Sequence, residues 1–217
     1  MSSVGIEELR VGGSVKLRGP IKASRIDVGG SLQVDGDLEV EALKIGGAAS
    51  VTGNLRAAEV VVGGSIKVGG DADVKKLLKV GGSARVEGGL VGGEVVVGGS
   101  IKAKAIKVDV FKVGGEAEAE KIVAREVVVG KKSRVRGEIN ACKVTVEKDA
   151  EVDKVVGYEV VLRKGSEANR VEAYKVFVEE DAEVRELVYV ESAEVDEEAD
   201  VKKVSRVESV NLELKCA

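Results

Sequence analysis

The chain has 217 residues and 44% apolar content, yet it holds no tryptophan, two Phe and three Tyr, so any core must be built from Val, Ile, Leu and Ala. It has no histidine, which removes imidazole acid–base catalysis, Ser-His and Cys-His nucleophile pairs and imidazole metal sites. The formal net charge of −4 offers nucleic acid and anionic membranes no bulk attraction, so neither is an expected partner.

Residues 1–10 carry neither a basic n-region nor an apolar stretch, and no apolar run reaches the roughly 18 residues of a membrane span. The sequence therefore predicts no signal peptide and a cytoplasmic location. Four Asn, one Gln, one Met and 33% charged residues suit a thermophile source.

Internal repetition governs the rest of the chain. Val-Gly-Gly recurs at 11, 28, 62, 80, 97 and 113, with Ile-Gly-Gly at 45. Past residue 128 the glycines fade, but the frame continues at Val129, Val146, Leu162, Val178, Val195 and Val210. Twelve near-equal steps lead from Val11 to Val210, and each step is one repeat.

Within each repeat the apolar residues fall in pairs two apart, separated by gaps of three or four. The first repeat gives Val15 and Leu17, Ile21 and Ala23, Ile26 and Val28. The second gives Leu32 and Val34, Leu38 and Val40, Leu43 and Ile45. The sixth gives Ile101 and Ala103, Ile106 and Val108, Phe111 and Val113, and the tenth Ser166 and Ala168, Val171 and Ala173, Val176 and Val178. Spacing of two is strand periodicity, with alternate side chains on one face. No stretch sustains a helical period.

Three short strands per repeat, each sending two side chains inward, predict an all-β, single-stranded, three-sided β-solenoid. It would wind through about twelve coils, each of roughly 15–18 residues, as a stack of like repeats does. The gaps are its corners: Gly12-Gly13, Gly29-Gly30 and Gly63-Gly64 at one, and Gly19, Gly36, Gly53 and Gly88 at the next. Glycine is expected there for its access to positive φ. Outward positions are mostly charged, as at Lys16, Lys67, Arg85, Lys102, Glu151, Glu167 and Glu183. Twelve coils at about 4.8 Å each would make a rod on the order of 58 Å long, too thin inside for bulky aromatics.

The predicted organisation is a lead-in or partial coil over 1–10, a continuous solenoid over 11–209 and a C-terminal partial coil or tail over 210–217. Residues 1–145 carry 23 basic and 18 acidic side chains, net +5, whereas 146–217 carry 11 and 20, net −9.

The coils Val28-Gly-Gly-Ser-Leu-Gln-Val-Asp-Gly-Asp-Leu-Glu-Val and Val62-Gly-Gly-Ser-Ile-Lys-Val-Gly-Gly-Asp-Ala-Asp-Val resemble those of bactofilins. The likeness spans nearly the whole chain and lies in its repeat pattern. It implies a right-handed β-helical scaffold that joins end to end into filaments without ATP or GTP. Its partners would be further copies of itself, with other cytoskeletal or envelope-associated proteins. The chain departs from the family in its length, its regular Val-Gly-Gly-Ser repeats and its lack of Pro-rich tails and of a hydrophobic membrane-targeting motif, so lipid attachment is not carried over.

Other chemistries fare worse. There is no G-x-x-x-x-G-K-[ST], and no helix follows the Gly-Gly pairs to hold phosphate. β-Helical acyltransferases and the related carbonic anhydrases need histidine. Polysaccharide lyases grow long loops, and ice-binding solenoids need a threonine ladder, whereas this chain has only Thr52 and Thr145. No catalytic residue, metal ligand or cofactor is expected, and the protein is read as a non-enzyme. Glu179, Glu180, Asp181, Asp196, Glu197, Glu198 and Asp200 suit a solvated acidic face better than a divalent-cation site. Tyr158, Tyr174 and Tyr189 recur one coil apart, as if stacked on one outer edge. Cys142 and Cys216 stand about four coils apart, roughly 20 Å, beyond the ~7 Å reach of a disulfide unless the tail folds back, so free thiols are expected.

A solenoid pairs each coil with the next and leaves both ends as templates for association. The expected interface is Val4, Ile6, Leu9 and Val11 at one end and Val207, Val210, Leu212 and Leu214 at the other. Charge favours head-to-tail stacking, whereas the family resemblance implies a non-polar filament. The alternative function is a non-polymerising solenoid that scaffolds a partner protein.

Overall fold

Alternating apolar residues fold as that alternation requires. The structure, a computed structural model, describes residues 4–216 and has only strands, turns and bends among them. Its parallel strands stack as a β-solenoid of about twelve turns, in two compact units, Met1–Val108 and Asp109–Ala217.

In unit 1 long and short strands alternate: β1 (Val4–Val11), β2 (Val15–Arg18), β3 (Ile21–Val28), β4 (Leu32–Asp35), β5 (Leu38–Ile45), β6 (Ala49–Val51), β7 (Leu55–Val62), β8 (Ile66–Val68), β9 (Ala72–Val80), β10 (Ala84–Val86), β11 (Gly89–Val97) and β12 (Ile101–Lys102). The long strands β1, β3, β5, β7, β9 and β11 pair in parallel in that order. The short ones from β2 to β12 form a second parallel stack. Each long strand spans two of the three predicted faces. At the bend, two consecutive residues point outward, as at Ser24 and Arg25, and the pairing that passes over Ser24 resumes at Arg25 with Glu8 on one side and Ala42 on the other. The corner is thus a change of side-chain parity inside one strand.

The division between units falls within β13 (Ala105–Val113). Unit 2 continues with β14 (Glu116–Val129), β15 (Arg134–Val146), β16 (Glu151–Leu162), β17 (Glu167–Val178) and β18 (Glu183–Val195), and ends in β19 (Asp200–Val201) and β20 (Val204–Arg206). Here one strand of 12 to 14 residues covers most of a coil. Several of its pairings slip by one residue at a bend, for example between Val135 and Glu138. These slips let the period vary while inward columns stay aligned.

Those columns are the core. In unit 1, Ile26, Leu43, Val60, Leu78 and Val95 lie in register and none exceeds 2% exposure. In unit 2, Val127, Val144, Val160 and Val176 repeat the pattern. Burying each such aliphatic is worth about 1.5–3 kcal/mol. The inward residues predicted for the second and sixth repeats are all buried. Phe111 corrects the expectation that aromatics would not fit, for it is fully buried.

Glycine at the Gly-Gly corners answers to close approach rather than to positive φ. A Cβ on Gly46 would sit 2.3 Å from the Gly29 carbonyl oxygen, and one on Gly63 2.5 Å from that of Gly46. Positive φ occurs at Gly19 (87°) and Gly36 (137°), so the expected reason holds there and not at the pairs. Unit 2 turns its corner differently. Glu147–Ala150, Arg163–Ser166 and Glu179–Ala182 are four-residue turns closed by a hydrogen bond from the last N–H to the first carbonyl, at 3.0–3.3 Å. The third residue, Asp149, Gly165 or Asp181, takes φ near 60°, a conformation Asp tolerates. This is why glycine fades past residue 128 while the frame persists.

Gly46→Ala should therefore lower stability by about 1–3 kcal/mol, the cost of overpacking a rigid site. Gly12→Ala, whose Cβ would meet nothing within 4 Å, should change it by less than about 0.5 kcal/mol. Denaturant unfolding of both variants checks the contrast.

Candidate functional site: two open ends and a strapped flank

A coil inside a solenoid is covered on both sides, whereas a terminal coil is covered on one. The first coil shows this in its burial. Leu9 and Val11 are half-buried, while their register partners Ile26 and Val28 are fully buried. Val15 and Leu17 are likewise half-buried above Leu32 and Val34. Of the predicted interface at this end, Ile6, Leu9 and Val11 lie on β1 at inward positions, and the Val4 backbone pairs with Ile21.

The C-terminal end is more open. β19 and β20 lie on β18, placing Val201 over Val184 and Val204 over Leu187. Leu187 is fully buried, whereas Val204 is 51% exposed and Val195 39%. Val207, which belongs to the predicted interface, is 36% exposed. Sequence reasoning missed Val195, Val201 and Val204 as tip residues, because the frame residue Val210 suggested one more coil beyond them.

Val210, Leu212 and Leu214 do not form that coil. No strand follows Arg206 among the described residues. Asn211 O accepts a hydrogen bond from Asn140 Nδ2 at 3.1 Å, and Glu213 N–H donates to Asn140 Oδ1 at 3.0 Å. Glu213 also pairs with Lys121. Residues 207–216 thus return along the flank of unit 2 as a strap. Val210, Leu212, Leu214 and Cys216 are half-buried while Asn211, Glu213 and Lys215 are exposed, so the predicted alternation survives, turned against the flank.

The strap ends in a disulfide between Cys142 and Cys216, with Cα atoms 5.4 Å apart. The expectation of free thiols is corrected. Ten extended residues reach up to ~33 Å, enough to span four coils backward. The seat is also distinctive. Asn140, Val156, Glu172 and Val188 form one outward column, yet Asn140, Val156 and Val188 are buried to 1%, 2% and 7% exposure. Apolar side chains at outward positions, as in Ile122-Val123-Ala124, Val155-Val156 and Leu187-Val188, were the sequence signal that something covers this face.

Beside the seat runs a ladder of charged side chains. Lys121 meets Glu138 at 3.1 Å, Glu138 meets Lys154 at 2.9 Å, and Glu186 meets Lys203 at 2.9 Å. Lys154 and Arg170 are adjacent like charges in register, and Glu172 bridges them at 3.9 and 2.6 Å. Arg170 also pairs with Glu186. The hydrogen bond from Lys154, then that from Lys121, holds the Glu138 carboxyl below the usual range against the opposing effect of burial.

Glu179, Glu180 and Asp181 are engaged in pairs with Arg163 and Lys164. Tyr158 and Tyr174 stack with centroids 5.3 Å apart, and Lys175 Nζ lies 5.6 Å from the Tyr158 centroid. Tyr189 does not extend this stack. It aligns with Ala173 in the next column, because it follows Tyr174 by 15 residues where the register offset is 16. A shallow groove of about 650 Å³ in unit 1 is lined by Glu7, Lys22, Glu39, Arg56, Asp73 and Lys75, and Lys22 and Glu39 pair across it at 2.9 Å.

Comparison with family models, curated proteins and solved structures returns no match.

Because the Glu138 carboxyl is more acidic in the folded chain than in the unfolded one, its stabilisation is complete above the ordinary glutamate range near pH 4.3 and is lost as pH falls through and below it. Glu138→Gln should cost about 1 kcal/mol at pH 7, with the difference from wild type shrinking as pH falls below the ordinary glutamate range and through the lowered range of the folded carboxyl. Denaturation midpoints across that range test it.

Proposed function

We propose that this protein is a structural, bactofilin-like polymer former whose solenoid ends stack into nucleotide-independent, cytoskeletal-type filaments. What supports the reading is the exposure of core residues at the ends: Val195 and Val204 at the C-terminal tip stand 39% and 51% exposed, on columns that are fully buried one coil earlier. Stacking another coil on such a tip would cover them as every internal coil is covered.

Magnitudes decide how the ends must meet. Covering half-exposed aliphatics gains about 1 kcal/mol each, and a tip offers only a few. Association costs on the order of 4–15 kcal/mol. Apolar contact alone therefore falls short, and the ends must pair backbone to backbone in register, as edge strands do. The protein's chief partner in this reading is itself, with no nucleotide or other cofactor. Intracellular disulfides are common in hyperthermophiles, so a cytoplasmic setting in a thermophile source would accommodate the Cys142–Cys216 bond.

Negative-stain microscopy of purified protein without nucleotide should show filaments. Val195→Lys with Val204→Lys, and separately Leu9→Lys, should give folded protein by circular dichroism and at least a tenfold loss of filament length. Filaments unchanged in these variants would refute the tips as the interface. Wild-type protein that stays monomeric would favour the non-polymerising scaffold.

A further inference from the structure

We propose that the Cys142–Cys216 disulfide is a redox latch that holds residues 207–216 closed over the outer face of unit 2, and that reduction by a dithiol releases this strap while the solenoid beneath stays folded. The latch does not depend on end-to-end assembly.

The strap and its seat are held by different means. β15, β16 and β17 each pair with a strand on both sides over most of their length. The strap has no strand pairing. Among the described residues its noncovalent hold is a hydrogen bond from Val207 N–H to Tyr189 O at its start, two hydrogen bonds to Asn140, the Lys121–Glu213 pair and three half-buried aliphatics. Those few contacts must order ten residues, each of which loses backbone freedom on docking. The covalent bond supplies what they lack by keeping the strap's far end at its seat. Both sulfurs belong to half-buried residues outside the inward columns, so a thiolate can reach them without opening the core.

The chemistry balances with a dithiol as reductant. One thiolate attacks a sulfur of the Cys142–Cys216 bond and forms a mixed disulfide, expelling the other cysteine as thiolate. The second thiol of the reductant then displaces the mixed disulfide and closes its own ring. Two electrons pass to the protein, both cysteines end as thiols, and the dithiol ends as a disulfide. Release frees the Asn140 amide and loosens the cover of a face on which Asn140, Val156 and Val188 now stand at 1%, 2% and 7% exposure.

Hydrogen exchange followed by mass spectrometry on the full chain tests the latch, with and without dithiothreitol, beside the double variant Cys142→Ser/Cys216→Ser. Intact mass confirms reduction by the gain of two hydrogens. The expected result is exchange at least about tenfold faster in peptides spanning 207–216, most clearly at the Glu213 amide, with β16 and β17 unchanged. The untreated double variant should match reduced wild type. Strap protection that survives verified reduction would overturn the proposal, and so would loss of protection throughout β15–β18, which would make the bond a staple of the whole unit.

Discussion

The backbone of this chain finds its hydrogen-bond partners one coil away. Gly46 N–H donates to Val28 O at 2.9 Å, Gly63 to Ile45 O at 2.8 Å and Glu179 to Leu162 O at 2.9 Å, each reaching the preceding coil. A buried peptide group must be paired, and here pairing is possible only if successive coils superpose. Superposition in turn forces like positions into columns, so an inward residue meets inward residues above and below. The aliphatic ladders, the stacked glycines and the charge ladder from Lys121 to Lys203 all follow from that one constraint. It also makes the ends special, since a terminal coil has a partner on one side alone.

This explains what could be read in advance. Pairs such as Leu32 and Val34 or Leu43 and Ile45 announce inward alternation, and their recurrence at a near-constant interval announces the stack. Both are properties of local spacing, which a linear sequence displays directly. The reason for the Gly-Gly corners was less visible. Gly46 reads like any turn glycine, and only the carbonyl of Gly29 on the previous coil reveals that its side is closed.

The strap was the hardest feature to foresee, for a physical reason. Val210, Leu212 and Leu214 carry the same alternation as a further rung, and alternation does not say which surface it faces. The deciding information lay far off in the chain, in the apolar outward positions Val123, Val156 and Val188 and in Asn140. That asparagine satisfies the strap backbone through both of its amide atoms. With the strap folded back, the tip is left to Val195, Val201 and Val204.

The stacking itself is open to direct measurement through scalar couplings across hydrogen bonds in deuterated, isotopically labelled protein. The account predicts couplings from the Gly46 amide to the Val28 carbonyl and from the Glu179 amide to the Leu162 carbonyl, with the one-coil interval repeated along both units. Couplings that instead join amides to carbonyls three or four residues back, or that run in antiparallel order, would contradict it.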